Sequence, residues 1–336
     1  SYPQELYRVV VIADNCVDET AGLAAARGAQ VLVRQDSENV GKGYALEWAA
    51  ARLTGSLYPD YPFDGLVVLD ADTVISPNLL RCFEKALLAG NAVAQVRYEV
   101  LNRNESWRTR LMVCALAVAH VVKPLGRERL QLSDGLKGNG MCFAADVLRE
   151  VRWSGDSITE DIDYTLNLCR RGYRIAFVPE AAVWAQMPVT GAQAVSQRHR
   201  WEAGRYRLLR HKAAPLLVEA IRGRRRILFD RAIDLLIPPF AELFAAPACC
   251  LVVCALLVPL PGWHWPLRMA WWWASILTVQ LFYLAAGLWI ARVPLSISSA
   301  LVCAPVYVLW KAALYCRMAV SAPAGWRRTE RREFGN

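Results

Sequence analysis

Two periods of apolar and polar residues share the first 212 positions. Short apolar runs predict strands at Arg8–Ala13, Gln30–Arg34, Gly65–Leu69, Ala92–Tyr98 and Arg174–Val178. Between them apolar residues recur every three or four positions. That spacing predicts helices over Asp18–Arg27, Gly43–Leu53, Asn78–Ala89, Ser106–Val122 and Asp161–Arg171. Gly28 and Gly172 close the first and last of these, as helix-ending glycines do. The alternation predicts an α/β, Rossmann-like fold: a mostly parallel sheet with helices on both faces. The apolar run Leu111–Val122 is too short to span a bilayer and is expected as a core or interfacial helix.

Near residue 232 the pattern changes. From Ile233 to Val320 only Asp234, Glu242, Arg268, Arg292, Lys311 and Arg317 are charged, 6 of 88 residues, against 21% for the whole chain. Three uncharged stretches follow, 243–267, 269–291 and 293–310, each near the roughly 20 residues that a membrane helix needs. Trp263, Trp265, Trp271, Trp272, Trp273 and Trp289 cluster near their ends, where an interfacial aromatic belt would lie. The basic runs at Arg222–Arg226 and at Arg327-Arg328 and Arg331-Arg332 both prefer the cytoplasmic side. That requires an even number of crossings, so one of the three runs is a candidate to lie at the interface or re-enter, and two or three crossings are expected. The stretch around Pro238-Pro239 is a further interfacial candidate.

Composition supports the division. Hydrophobic residues make up 55% of the 336, which excludes a disordered or collagen-like chain. A formal net charge of +9 raises nucleic-acid binding, but the basic residues adjoin the apolar runs rather than forming a separate domain, so no nucleic-acid partner is expected. Anionic membrane lipids are the expected partner of that charge. The ten cysteines include no C-x-x-C pair and suit a reducing compartment. The sequence opens at Ser1 with no signal peptide before the first strand, and is read as starting inside a domain.

Ligands of open parallel sheets bind beyond the carboxyl ends of the strands. There the sequence places Asp14-Asn15-Cys16, Gly41-Lys42-Gly43 and Asp70-Ala71-Asp72. A carboxylate pair suits a divalent ion such as Mg²⁺ or Mn²⁺, which takes one or two carboxylates plus substrate phosphates. On extended chain Asp70 and Asp72 would project to one side. Lys42 offers a compact charge for a diphosphate, and its glycines allow close backbone approach. Asp161-Ile162-Asp163 also matches Asp-x-Asp, but it opens a helix, where capping is the default. Thr159 is a candidate cap for that helix, with Glu160 and Asp161 suited to its N-terminal dipole; the functional alternative is a general base. Gln197-Arg198-His199-Arg200-Trp201 sits in a basic helical stretch, and tryptophan among arginines suits sugar stacking beside phosphate ligands. The four histidines show no metal-ligand spacing.

In this order, Asp14, Lys42, Asp70-Ala71-Asp72, Thr159-Glu160-Asp161 and Gln197 to Trp201, followed by apolar helices, resemble the membrane-integrated family 2 inverting glycosyltransferases. That branch includes cellulose, chitin, hyaluronan and poly-N-acetylglucosamine synthases. The resemblance implies a GT-A fold, a nucleotide-sugar donor (a UDP-sugar first) and Mg²⁺ or Mn²⁺. It implies donor contacts for Asp14, Lys42, Asp70, Gln197 and Arg200, metal binding for Asp72 with Asp70, and Asp161 as catalytic base. Trp201, Glu160 and Gly140 fall on the acceptor side.

The implied organisation is a GT-A domain over 1–212 lacking its first strand, a basic interfacial linker over 213–240, membrane helices over 241–320 and a basic tail over 321–336. The implied reaction is a single inverting displacement that forms a β-linkage on a growing polysaccharide, at the inner face of the cell membrane with the catalytic domain cytoplasmic. Transfer of one sugar to a lipid acceptor is the rival. A non-catalytic membrane scaffold is the alternative outside enzymes.

Overall fold

The computed structural model describes residues 2–55, 63–155, 157, 159–259 and 265–320. Trp263, His264 and the basic tail over 321–336 lie outside the described residues. After a short 3-10 turn the chain forms β1 (Val10–Asp14), α1 (Thr20–Ala26), β2 (Gln30–Arg34), α2 (Lys42–Thr54), β3 (Gly65–Val68) and β4 (Val74–Ile75). Next come α3 (Leu79–Leu88), β5 (Val93–Val100) and α4 (Trp107–Ala117), which passes through a π turn into α5 (Lys123–Arg129). β6 (Met141–Ala144), α6 (Ala145–Glu150), α7 (Glu160–Arg170), β7 (Ile175–Ala185) and α8 (Gly191–Leu208) follow. A second π turn leads to α9 (Ala214–Arg222) and then α10 (Arg226–Leu236). The apolar part contains α11 (Phe240–Leu257), α12 (Trp265–Ile290), α13 (Leu295–Ser298) and α14 (Ala304–Val320).

The sheet is mixed. β1 and β2 pair in parallel, and a five-stranded sheet has the order β3-β6-β5-β7-β4. β6 is antiparallel to both β3 and β5, and β5 is parallel to β7, so β3, β5 and β7 run the same way. The parallel arrangement expected from the sequence therefore holds for those three strands and for β1–β2. β6 and the two-residue β4 run against it.

Period-two alternation buries both faces. On one face Val93, Met141 and Phe143 join Tyr164, Leu168 and Leu216 in the larger core, where Phe143, Trp153 and Tyr164 stack with centroids 4.4–5.9 Å apart. On the other, Ala94, Val96 and Cys142 pack on Leu79, Phe83 and Ala86 of α3. Wholly buried apolar strands are what a sheet covered on both sides requires.

The helix over Leu111–Val122 is longer than its apolar run. It continues through the charged residues Lys123 and Arg127 and spans Trp107–Arg129, 23 residues, long and apolar enough to cross a membrane. Leu116 packs with Val100 and Ala185 at the end of the sheet, while Cys114 and Ala117 pack with Leu288 and Ile297 of the apolar part. Arg127 pairs with Asp230 at 2.9 Å and Asp234 at 3.2 Å, and Lys123 also pairs with Asp234. These cations hold the Asp234 carboxyl well below the usual range although burial alone would raise it.

Three further helices are long and apolar enough to cross a membrane: Phe240–Leu257, Trp265–Ile290 and Leu295–Cys316. Their outer faces expose large apolar groups, among them Leu256, Phe282, Trp289 and Val302. An exposed apolar surface of this extent needs a cover, and lipid is the solvent that fits it. All ten cysteines are free thiols.

Gly140, at the entrance to β6, has φ +67° and is buried; a Cβ there would stand 2.7 Å from Val96 Cγ2 and 2.8 Å from Val183 Cγ2. Gly140→Ala is expected to cost about 2 kcal/mol or more, from left-handed strain and overpacking together. The midpoint of denaturant unfolding measures it. An unchanged midpoint would show that the strand entrance relaxes freely.

Candidate active site

Four chain segments meet at one point. Lys42 is the first residue of α2, behind Gly41 at φ +128°, a backbone conformation that favours glycine. Gly43 lets the helix start touch the loop at Gly155, whose carbonyl oxygen would lie 2.9 Å from a Cβ at position 43. So placed, the Lys42 ammonium donates to Asp70 Oδ1 and to the Gly138 carbonyl. The Cβ position of Gly138 lies 3.5 Å from Asp161 Oδ2 and 3.8 Å from Lys42 Nζ. Lys42, Asp70, Gly138 and Asp161 thus form one polar cluster, although 119 positions separate its first and last members.

Asp70 and Asp72 reach that cluster by a turn. The Thr73 amide donates to the Asp70 carbonyl at 3.1 Å, closing Asp70–Thr73 directly after β3. The extended geometry expected from their spacing is replaced because the strand ends at Val68. Both aspartates line the same cavity.

The loop 137–140 has a buried frame. Gln95 is completely buried; its Nε2 donates to the carbonyls of Val96 at 2.9 Å, Asn139 at 2.9 Å and Gly140 at 3.1 Å, and its Oε1 accepts from the Lys137 amide at 3.0 Å. Asn139 Oδ1 accepts from the Asp70 amide at 3.2 Å, and its Nδ2 donates to Thr73 Oγ1 at 2.7 Å. Gly140, expected on the acceptor side, is packed between Val96 and Val183 and does not itself line the cavity. Gly138 takes that wall position. Gly138 and Asn139 adjoin Gly140 in the stretch that the family resemblance places at the acceptor pocket, whereas the sequence reading does not reach Gln95 or Tyr98; a glutamine inside the apolar strand Ala92–Val96 is the available signal.

Glu160 and Asp161 open α7. Thr159 makes no side-chain cap bond, so the capping reading fails. Its methyl instead faces Gly204 of α8, where an added Cβ would overlap it. This contact joins the two motifs. Asp163 pairs with Lys212 and has a structural role. Burial raises the Asp161 carboxyl above its ordinary value, opposed by the Ile162 amide, which donates to Oδ1 at 2.8 Å, and by Lys42. Burial and then the Asp161 charge push Glu160 up to about 7, against the pull of Lys42 and Arg200. Tyr98, beneath the cluster, is raised by burial and by Asp70 and Asp161.

Gln197, Arg200 and Trp201 of α8 line this cavity together with Lys42, Asp70 and Asp161; its volume is about 1660 Å³. Its far side is apolar, formed by Leu243, Phe244, Leu281 and Leu284 of α11 and α12. Asp14 is not on the wall. It pairs with Arg34 at 2.6 Å, and Arg34 also holds Asp36 and the Asn39 carbonyl, at 2.8 Å each. Val40 and Gly41, directly after that loop, do line the cavity.

Among the described residues no group of three or more His, Cys, Asp or Glu is arranged to hold a metal ion. The donor set that is present, the carboxylates of Asp70 and Asp72 on one wall, fits a hard divalent ion whose remaining ligands are phosphate oxygens and water.

The model of the Glycosyltransferase like family 2 matches residues 1–204. Probable glycosyltransferase YdaM of Bacillus subtilis is 23% identical over 239 residues, covering 68% of this chain and 54% of its own length. Glucomannan 4-beta-mannosyltransferase 7 of Arabidopsis thaliana is 24% identical, covering 46% of this chain and 28% of its own. Beta-monoglucosyldiacylglycerol synthase of Synechocystis is 26% identical, covering 61% and 42%. The chain therefore spans about half or less of these relatives. A solved structure, the mannosyltransferase PcManGT from Pyrobaculum calidifontis in complex with GDP-Man and Mn²⁺, superposes with a TM-score of 0.45 at 19% identity, over 85% of this chain and 78% of that one. The chain belongs to the glycosyltransferase-like family 2, with a GT-A-like fold of mixed sheet and helices followed by C-terminal helices that could span a membrane.

Proposed function

We propose that this protein moves a sugar from a nucleotide-sugar donor, a UDP-sugar first, to an acceptor hydroxyl at a membrane, by one inverting displacement that forms a β-linkage. The observation that carries the reading is the gathering of Lys42, Asp70 and Asp161 at one cavity that Gln197, Arg200 and Trp201 also line. Asp161 takes the proton of the attacking hydroxyl; its raised affinity for protons suits a base acting near neutral pH. Lys42, Arg200 and Gln197 hold the diphosphate, and Trp201 stacks on the acceptor. A divalent cation held by Asp72 and Asp70 supplies Lewis-acid neutralisation of the leaving diphosphate when bound.

The catalytic unit is assigned to residues 1–212, with 213–240 as interfacial linker and 241–320 as the membrane part. Facing the cytoplasm at the inner membrane would give this site access to nucleotide sugars. The motif over Gln197–Trp201 supports a growing polysaccharide as acceptor. The apolar far wall favours a second reading, one sugar added to a lipid, and the resemblance to a glucosyldiacylglycerol synthase points the same way. Products from labelled UDP-glucose, UDP-N-acetylglucosamine and GDP-mannose separate them: a ladder of long chains supports the first, a single organic-soluble product the second.

Asp161→Asn is expected to reduce transfer by about 10²–10⁴-fold while Mn²⁺·UDP still binds. Near-normal turnover would remove Asp161 from the base role. Chelation with EDTA should abolish transfer and Mg²⁺ or Mn²⁺ should restore it, whereas Asp72→Ala should not be restorable.

The pH profile gives a third check. Protonation disables the base, so kcat/KM falls on the acid side, and burial places that limb above the ordinary carboxylate range. The Asp161 charge helps to raise the Glu160 carboxyl, so Glu160 is still protonated where Asp161 ionises, and Glu160→Gln is expected to leave the limb in place. A limb that moves in this variant would assign it to the pair rather than to Asp161.

A further inference from the structure

α8 carries the residues assigned to diphosphate and acceptor, and it is gripped from the membrane side by a buried charge network. Lys311 of α14 is 3% exposed and Glu202 of α8, next to Trp201, is 5% exposed. Lys311 Nζ lies 2.6 Å from Glu202 Oε1 and 2.6 Å from Glu242 Oε1 of α11. One turn along α14, the Tyr315 hydroxyl lies 2.9 Å from Glu202 Oε2 and 2.5 Å from Glu242 Oε1. One turn earlier, Tyr307 lies under the Arg198 guanidinium at 5.9 Å, and Arg198 stacks over Trp201 at 5.3 Å. Lys311, Glu202, Tyr307 and Arg198 all face the cavity that Trp201 lines.

An ammonium inside an apolar helix is costly to hold and is retained where it has fixed partners. Here one cation is shared by two carboxylates from two other helices, so its position ties α8, α11 and α14 to one another. Residue 204 is also where the family match ends, so the network joins that part of the chain to the helices beyond it.

We propose that Lys311 is a positioning residue. Through Glu202 and Glu242 it sets the placement of α8, and with it Arg200 and Trp201, from the membrane helices. The proposal rests on the transfer reading above for its kinetic consequence but not for its structural one.

The test uses the full chain in lipid nanodiscs, with two readouts. Lys311→Met is expected to lower kcat for sugar transfer about tenfold or more, with Mn²⁺·UDP affinity within about threefold of the parent; Lys311→Arg should recover at least half of the loss. Because Lys311→Met leaves two carboxylates facing one another, the pair Glu202→Gln with Lys311→Met keeps the net charge of the cluster and still breaks the tie. It should keep the turnover defect even if the single variant folds poorly. Hydrogen exchange reads placement without substrate: protection over 191–208 should fall in Lys311→Met while β5 and β7 stay protected. Unchanged exchange over α8, or a charge-matched pair that turns over within twofold of the parent, overturns the proposal. So does a parallel loss of sheet protection, nucleotide affinity and turnover, which would mark a fold defect. A parent chain that transfers from none of the three donors, yet shows the α8-specific exchange change, defeats the transfer reading and leaves the positioning role standing.

Discussion

The site depends on one buried amide. Gln95 sits at the centre of the sheet with no exposure to solvent, and it closes four hydrogen bonds with the loop 137–140 and with its own strand. A buried polar group left unmatched costs about 1–3 kcal/mol, so this loop has one low-energy course rather than several. That course turns the Gly138 carbonyl toward Lys42 and the Asn139 side chain toward Asp70. Lys42 and Asp70 therefore meet partners on a loop that Gln95 holds, while Gln95 makes no hydrogen bond to either. Rigid support beneath a flexible-looking loop is what preorganised electrostatics demands.

The second constraint comes from the apolar helices. The helix Trp107–Arg129 has the sheet on one side and α12 with α13 on the other. Gly287 of α12 comes so close that a Cβ there would lie 3.2 Å from Val118. Its charged end is tied to α10 through Lys123, Arg127 and the aspartates Asp230 and Asp234. A segment of spanning length is thus built into the interface between the α/β layer and the apolar helices. Length and composition mark it as a candidate span; packing on the sheet explains how a helix with two paired cations tolerates its position.

Much of the α/β layer was legible because both faces of the sheet are buried and its helices are amphipathic. The second predicted strand, Gln30–Arg34, matches in both bounds, and the predicted helix Gly43–Leu53 corresponds to α2 over Lys42–Thr54. What failed was local. Met141–Ala144 forms β6, whose four residues are too few to show a period, and its antiparallel insertion makes the sheet mixed. Asp70 and Asp72 lie on a turn, since no spacing rule says where a strand stops. The positive φ of Gly140 and the two valines around it give that glycine a packing reason that no spacing rule reveals. Thr159 looked like a cap, and only the close passage of Gly204 reveals its partner. Contacts between distant segments, such as Lys311 with Glu202, leave no local trace at all.

Charge explains why the cluster needs a ligand of a particular kind. Asp70, Asp72, Glu160 and Asp161 line one end of the cavity. Most cations further along it are committed elsewhere: Lys123 and Arg127 to Asp234, Lys137 to Asp134, Lys311 to Glu202 and Glu242. Lys42 and Arg200 remain as the cations that pull on Glu160, and they do not prevent burial and Asp161 from raising it to about 7. Burial is the first cause of that rise and the Asp161 charge the second. On the proposed reading, a diphosphate would add negative charge beside these carboxylates, and a divalent cation held by Asp70 and Asp72 would offset it and leave Asp161 able to ionise.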